Sequence, residues 1–376
     1  MNANINPDIL IIGGGIAGAS SAANLARAGA SVVLLEMENQ LGYHTTGRSA
    51  ATFVASYGND MIRALNAASR PFFDAPPEGF SECPLLAPRG ALFVADAAHL
   101  GKLEKAIADP ANVRLLQELD TAQALELSPT LRPVAVQLAA YEPNAADIDV
   151  NAVLQGYLKQ LRDAGGQVVT SAGVKSLLRC GSAWQVETAV GVFSSASVVN
   201  AAGAWADEIA AMAGSASVGL VPKRRTALTF DPGLEIFKWP LTISVDESWY
   251  FRPEGGDLLI SPADESLSEP CDAQPDEIDI ALCIDRIETF TTMNVERLVS
   301  KRAGLRCFVF DKSPVVGYAD DVDGFFWLAG QGGYGIQTAP ALAEFTTGLI
   351  MRGEVPAALE DRGITAVNLS PARLRM

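Results

Sequence analysis

The chain has 376 residues and carries 28 Lys and Arg against 44 Asp and Glu, a formal net charge of −16. That length supports two or three domains around a sizeable core, and an apolar fraction of 49% with only 19% charged residues excludes a disordered chain. Net acidity opposes wholesale binding to nucleic acid, which needs a clustered excess of Lys and Arg. The five cysteines, Cys83, Cys180, Cys271, Cys283 and Cys307, are scattered without C-x-x-C spacing, and His44 and His99 are the only histidines. Neither a disulfide framework nor a metal site is expected. The first apolar run follows no basic segment and is punctuated by Gly13, Gly14, Gly15 and Gly18, so it reads as neither a signal peptide nor a membrane span. The expected compartment is the cytoplasm.

In chain order, Asp8 to Ile12 predicts a buried strand, the small residues from Ile16 to Gly29 a helix with a glycine stop, and Ser31 to Glu36 a second strand. A right-handed crossover makes this β-α-β unit parallel. Asn59 to Asp74 and Val150 to Asp163 carry helical spacing, and the proline-rich stretch from Pro76 to Pro88 marks a domain crossing. Strands around Gln167 to Thr170, Trp184 to Thr188 and Val198 to Asn200 are read as the parallel sheet resuming. From Arg225 to Ile260 the texture is β, with Gly255 and Gly256 as a hairpin turn; Lys223 and Arg224 just before it read as a solvated turn. A helix opens at Pro275, strands return at Val315 to Ala319 and Phe325 to Ala329, and a glycine loop leads into a helix from about Thr338 to Met351.

Gly13-Gly14-Gly15-Ile16-Ala17-Gly18 matches G-x-G-x-x-G. Gly13 permits the tight turn, Gly15 admits a pyrophosphate, and Gly18 lets helix and strand pack closely, while the helix N-terminus attracts phosphate. Glu36, at the end of the second strand, is placed for a ribose hydroxyl pair. An acidic residue there disfavours a 2′-phosphate, which leaves FAD or NAD. The run Gly42 to Ala50 supplies hydroxyls, glycine amides and the Arg48 guanidinium for a second approach to phosphate.

With these motifs in place the chain resembles the D-amino-acid oxidase superfamily of FAD enzymes, and most closely the bacterial D-arginine dehydrogenase group. The resemblance runs through Gly42 to Ala51, Asp147 to Asp149, Val199 to Trp205, Pro222 to Arg225, Asp246 to Tyr250, Ala303 to Arg306 and Gln331 to Thr338. It implies an α/β fold: a Rossmann-type, GR2-like FAD-binding domain formed by residues 1–84, 147–220 and 304–376. Inserted into it is a mainly antiparallel β substrate domain of residues 85–146 and 221–303. It also implies FAD contacts at Gly13, Gly15, Gly18, Glu36, Arg48, Ser49, Val174, Ala202 and Gly203, with the Gly330 to Thr338 loop, including Gly333, Gly335, Gln337 and Thr338, beside the flavin ring. A glycine loop entering a helix N-terminus would stabilise negative charge on the reduced ring.

The same resemblance implies a substrate site at Arg306, Tyr250, Arg225 and Tyr57. A guanidinium clamps a carboxylate through two parallel hydrogen bonds, which makes Arg306 the expected anchor. The implied reaction is oxidative deamination of a D-amino acid by hydride transfer to flavin, with a quinone or O₂ as acceptor. Some relatives attach flavin through cysteine, but Cys307 reads as a buried, inert thiol. The D-arginine group carries an acidic residue after its Pro-Arg pair, whereas Pro88-Arg89 is followed here by Gly90 and Ala91, and Thr52, Phe53 and Val54 replace a more polar run. Neutral or apolar D-amino acids are therefore expected in place of D-arginine. The alternative is an oxidase of secondary amines or imino acids of the sarcosine, glycine or proline type. A flavoprotein working on a macromolecule such as RNA is opposed by the charge of −16.

Overall fold

The computed structural model describes residues 6–375. The strand Ile9–Ile12 passes through the glycine turn into the helix Ile16–Arg27 and returns as Val32–Leu35. The two strands are parallel, with Ile9 opposite Val32 and Ile12 opposite Leu35. Their unbroken runs of branched apolar residues suit a sheet covered on both faces. Four more strands complete a six-stranded sheet in the order Val315–Tyr318, Phe325–Ala329, Ser197–Asn200, Ile9–Ile12, Val32–Leu35, Gln167–Val169. All pairs are parallel except Val315–Tyr318 against Phe325–Ala329.

Period-two alternation divides this sheet between two cores. Ile9, Ile11, Val32 and Leu34 pack with residues of the helices Ile16–Arg27, Asp60–Asp74, Val150–Asp163 and Gly335–Arg352. Leu10, Ile12, Val33 and Leu35 face the other way, onto Trp184, Val186, Phe193 and the helix Ala206–Ala213. Trp184 to Thr188 does not join the parallel sheet as expected. It is the centre of a separate antiparallel sheet, Val174–Cys180, Ala183–Thr188, Val192–Ser195. The reason is visible in the strand itself: Trp184, Val186 and Thr188 are buried while Gln185 and Glu187 are exposed, the one-sided pattern of an antiparallel meander.

A nine-stranded, mainly antiparallel sheet forms the other half of the molecule. Gly255 and Gly256, both at positive φ, turn Tyr250–Glu254 back onto Asp257–Ser261. Lys223 and Arg224 are not in a turn. They lie within the strand Val221–Phe230, Lys223 paired to Glu265 at 2.7 Å and Arg224 to Asp279 at 2.8 Å. The strand Ser300–Phe308 pairs with Val221–Phe230 over its whole length, from Ser300 opposite Thr229 to Phe308 opposite Val221. The division expected between residues 303 and 304 falls inside this strand.

The C-terminal segment braces the region around Tyr57. Arg373 donates to Asp311 through Nε at 2.8 Å and Nη2 at 3.2 Å. The same turn accepts from Asn59 Nδ2 at the Asp311 carbonyl and the Ser313 hydroxyl, at 3.1 and 3.0 Å. Asn59 in turn caps the helix Asp60–Asp74. Burial raises the Asp311 carboxyl, but the Arg373 guanidinium and the Ser313 amide outweigh it and hold the pKa below its ordinary value of 3.8. A depressed carboxyl stabilises the fold fully above its unfolded pKa, and that contribution is lost as pH falls through the folded value. Thermal unfolding followed by circular dichroism is therefore expected to show the melting temperature dropping below about pH 4, with a shallower drop in Arg373→Ala. Identical acid limbs would contradict the brace.

Candidate active site

A long cleft runs between the two sheets, from the glycine turn at the head of Ile16–Arg27 to the pair Tyr250 and Arg306. Of the residues singled out in the sequence, Gly13, Gly15, Glu36, Arg48, Ser49, Val174, Ala202, Gly203, Gly333, Gly335 and Gln337 line it, as do Tyr57, Arg225, Tyr250 and Arg306. Gly18 and Thr338 do not. A Cβ on Gly18 would lie 1.9 Å from the Gly13 carbonyl oxygen, so this glycine serves the packing of helix on strand. Thr338 is fully buried, its hydroxyl donating to the Tyr334 carbonyl one helical turn back at 2.9 Å.

At the dinucleotide end, Gly13 has φ +111°, and a Cβ there would meet the Ala201 carbonyl oxygen at 2.3 Å. Glu36 is buried and accepts from the amides of Gly14 at 2.8 Å and Glu38 at 2.9 Å, which fixes its carboxylate at the strand end. Thr46, which the sequence reading left undistinguished within its polar run, accepts from the Ile16 amide at 3.0 Å on the helix N-terminus. Arg48 lines the cleft, yet its guanidinium is held across the molecule. It pairs with Asp272 and donates to the carbonyls of Ala273 at 2.9 Å and Ala303 at 3.1 Å.

At the other end, strand register gathers the cations. Arg306 stands opposite Lys223 and Arg225 opposite Gly304, so Arg225 and Arg306 project from the same face. Arg225 is buried and tied by Nε to the Asp264 carbonyl at 2.9 Å. Burial and repulsion from Arg306 lower its pKa. Among the described residues Arg306 has no ion-pair partner. Burial opposes its charge, but the phenols of Tyr57, Tyr250 and Tyr334 more than compensate and hold its pKa above the ordinary range. Its guanidinium lies against Gly333, where a Cβ would come within 2.8 Å of Cζ. Tyr57 donates to Glu247 Oε2 at 3.1 Å and packs on Tyr334, ring centroids 5.1 Å apart. Burial pushes the Cys307 thiol up to about 12, which keeps it protonated and poorly nucleophilic.

Two observations test the fit of a flavin dinucleotide. At Gly15, which lines the cleft, a Cβ would meet only Thr46 Oγ1 at 3.3 Å and would project into cleft space that glycine leaves free. The side-chain amide nitrogens of Gln331 and Gln337, both on the cleft, are buried without a hydrogen-bond partner among the described residues. Unsatisfied buried donors are costly, and acceptors of a bound ring system would satisfy them. The residues fit the group.

The positions that carried the expected loss of a countercharge lie off the cleft. Gly90 has φ +74° and backs onto Tyr141, whose hydroxyl a Cβ would approach to 2.2 Å. The Arg89 guanidinium is taken up by Asp147 at 2.7 Å and by the carbonyls of Phe237 and Trp239. Phe53 is core, while Thr52 and Val54 do line the cleft.

The fold and this cleft define a nucleotide-dependent oxidoreductase, and the profile of the family described as DAO, FAD dependent oxidoreductase, matches residues 8–349. The chain belongs to that family: it is an FAD-dependent oxidoreductase. It is 25% identical over 372 residues to the mitochondrial dimethylglycine dehydrogenase of Mus musculus, a match covering 93% of this chain and 43% of the mouse protein. With the glycerol 3-phosphate dehydrogenase of Caloramator mitchellensis it shares 24% identity over 360 residues, 91% of this chain and 73% of the other. The crystal structure of L-proline dehydrogenase from P. horikoshii superposes with a TM-score of 0.84 at 20% identity, covering 99% of both chains. No helix among the described residues is long and apolar enough to cross a membrane.

Proposed function

We propose that the protein oxidises the carbon–nitrogen bond of a small amino acid, with neutral or apolar D-amino acids as its substrates. The observation that carries this reading is Arg306, a guanidinium buried on the cleft wall without a carboxylate of its own. A charge in that setting calls for an anionic partner, and a substrate carboxylate supplies one in bidentate geometry. Arg225 adds a second positive charge from the same face, and the Tyr250 hydroxyl donates to the same carboxylate. Tyr57 closes the substrate end. Gly13, Gly15, Glu36, Arg48, Ser49, Val174, Ala202, Gly203, Gly333, Gly335 and Gln337 would hold the cofactor. When bound, FAD supplies the two-electron acceptor for the hydride leaving Cα, and the imino acid released hydrolyses to a 2-oxo acid and ammonia.

Preference for an uncharged side chain is supported by the walls of the cleft. Val54, Phe93, Ala227, Leu241 and Ile243 line it near Tyr250, and among the described residues the acidic ones lining it are Glu36 and Glu208. Kinship with the D-arginine dehydrogenase group is thus read as shared architecture with a different side-chain preference. Five free thiols among the described residues support a reducing, cytoplasmic setting.

A second reading is favoured by the relatives named above. Dimethylglycine and L-proline dehydrogenases take, by their names, acids whose nitrogen is substituted, and Arg306 would hold such a carboxylate equally well. Anaerobic bleaching of the FAD-loaded protein by D-leucine, D-methionine, D-phenylalanine and D-arginine, beside sarcosine, dimethylglycine and L-proline, decides between them. Fastest bleaching by an apolar D-amino acid is the expected result. Faster reaction with the substituted amines moves the assignment to the second reading, and preference for D-arginine overturns the side-chain inference. Repeating the best substrate in air, with peroxide measured, tells an O₂-using oxidase from a quinone-linked dehydrogenase.

A further inference from the structure

We propose that Glu142 is a positioning residue: its buried carboxylate moors the segment 54–57 and thereby sets the Tyr57 hydroxyl at the substrate end of the cleft. Glu142 ends the strand Leu138–Glu142 and is 1% exposed. One carboxylate oxygen accepts from the Ala55 amide at 2.7 Å and the other from the Ser56 amide at 3.1 Å. The preceding amide, Val54, donates to Gln337 Oε1 at 3.1 Å. The carbonyls of Val54 and Tyr57 both accept from Asn66 Nδ2 at 3.4 Å.

Segment 54–57 is therefore neither helix nor strand, yet its backbone is satisfied by side chains from three separate elements. Amides away from water need partners; the Tyr57 amide finds one inside the segment, the Val54 carbonyl at 3.4 Å, and the other three take side-chain oxygens. The choice of a carboxylate is informative. Glu142 has no ion-pair partner among the described residues, and burial pushes its carboxyl above the ordinary range while the Ser56 and Ala55 groups pull it down. The two oxygens of one carboxyl group grip two consecutive amides. One residue further on, Tyr57 lies between Glu247 and Arg306 and packs at a tilt on Tyr334 of the glycine loop. Glu142 does not reach the cleft, so any influence on the ligand passes through Tyr57.

The inference rests on the reading that Arg306 receives a carboxylate. Its test uses the FAD-loaded protein titrated with benzoate, followed by the flavin absorbance change, in wild type, Glu142→Gln, Tyr57→Phe and the double variant. Glutamine leaves one amide facing an NH₂ group, and losing such a buried contact corresponds to about a tenfold weaker benzoate Kd. The same substitution in the Tyr57→Phe background is expected to add less than about twofold, since the group being positioned is already gone. Equal losses in both backgrounds overturn the proposal. So does an unchanged Kd in Glu142→Gln. Glu142→Asp, which retains the carboxyl group but shortens the reach, is expected to fall between the two and serves if the glutamine variant folds poorly. Failure of wild type to bind benzoate would overturn the Arg306 reading instead. The mooring is then judged by hydrogen exchange at Ala55 and Ser56, which must accelerate in Glu142→Gln while flavin content stays constant.

Discussion

Replacing Arg306 with methionine is expected to lower kcat/KM for the best amino acid by about 100- to 20,000-fold while leaving the flavin in place. Two charge-assisted hydrogen bonds are lost, each worth about 1.5 to 3 kcal/mol, and every 1.4 kcal/mol is tenfold. Methionine matches the length and apolar stem without the charge, so the wall against Gly333 is retained. Arg306→Lys should recover part of the loss, since it restores charge without the planar fork. Arg225 remains as a weaker anchor, constrained by its bond to the Asp264 carbonyl. Stopped-flow reduction separates binding from hydride transfer, and the deficit should lie mainly in substrate affinity. Unaltered kcat/KM in Arg306→Met would remove the carboxylate clamp from the site.

The second large effect is expected at the opposite end of the cleft. Gly13→Ala places a Cβ 2.3 Å from the Ala201 carbonyl oxygen on a residue with φ +111°, combining steric overlap with a backbone conformation that only glycine adopts readily. Neither neighbour is a flexible side-chain tip that could swing aside. The turn must shift, and with it the amides at the head of Ile16–Arg27 and the Glu36 carboxylate bonded to Gly14. Strain of about 1 to 3 kcal/mol, added to displaced amides, is expected to weaken FAD binding at least tenfold, so that the purified variant is nearly colourless. Flavin content, read as absorbance at the flavin band relative to protein, measures this directly. A fully yellow variant would separate the glycine turn from cofactor binding.

These two ends of the cleft differ in how far they could be read from residues alone. The glycine turn, its strands and the acidic residue at the second strand end are local, and sequence spacing expresses them directly. Arg306, Arg225 and Tyr250 came only through resemblance, because nothing local distinguishes a ligand-facing arginine from a paired one. Arg224 illustrates this, being taken up by Asp279. The assignment of Trp184 to Thr188 to the parallel sheet overlooked the alternation within the strand itself. Arg48 was readable as a cation near phosphate, but its partners Asp272, Ala273 and Ala303 are more than 220 residues away. Glu142 gave no signal at all. It closes an ordinary strand, and its two amide partners lie 86 and 87 residues earlier.

The strand that delivers Arg306 has a mechanical meaning. Ser300–Phe308 is laced to Val221–Phe230 along its entire nine-residue length, and its middle is tied to the loop after the second strand, the Leu305 carbonyl accepting from Thr45 at 2.8 Å and the Ala303 carbonyl from Arg48 at 3.1 Å. Swinging the two lobes apart like a clamshell would require breaking these side-chain bonds, which cross from one lobe to the other, together with the Arg48 bond to the Ala273 carbonyl. The molecule is accordingly built as a girder with a slot in it. Traffic in and out of the slot then falls to small excursions of loops and aromatic rings at its mouth, whose speed is set by local packing and not by whole-body hinging.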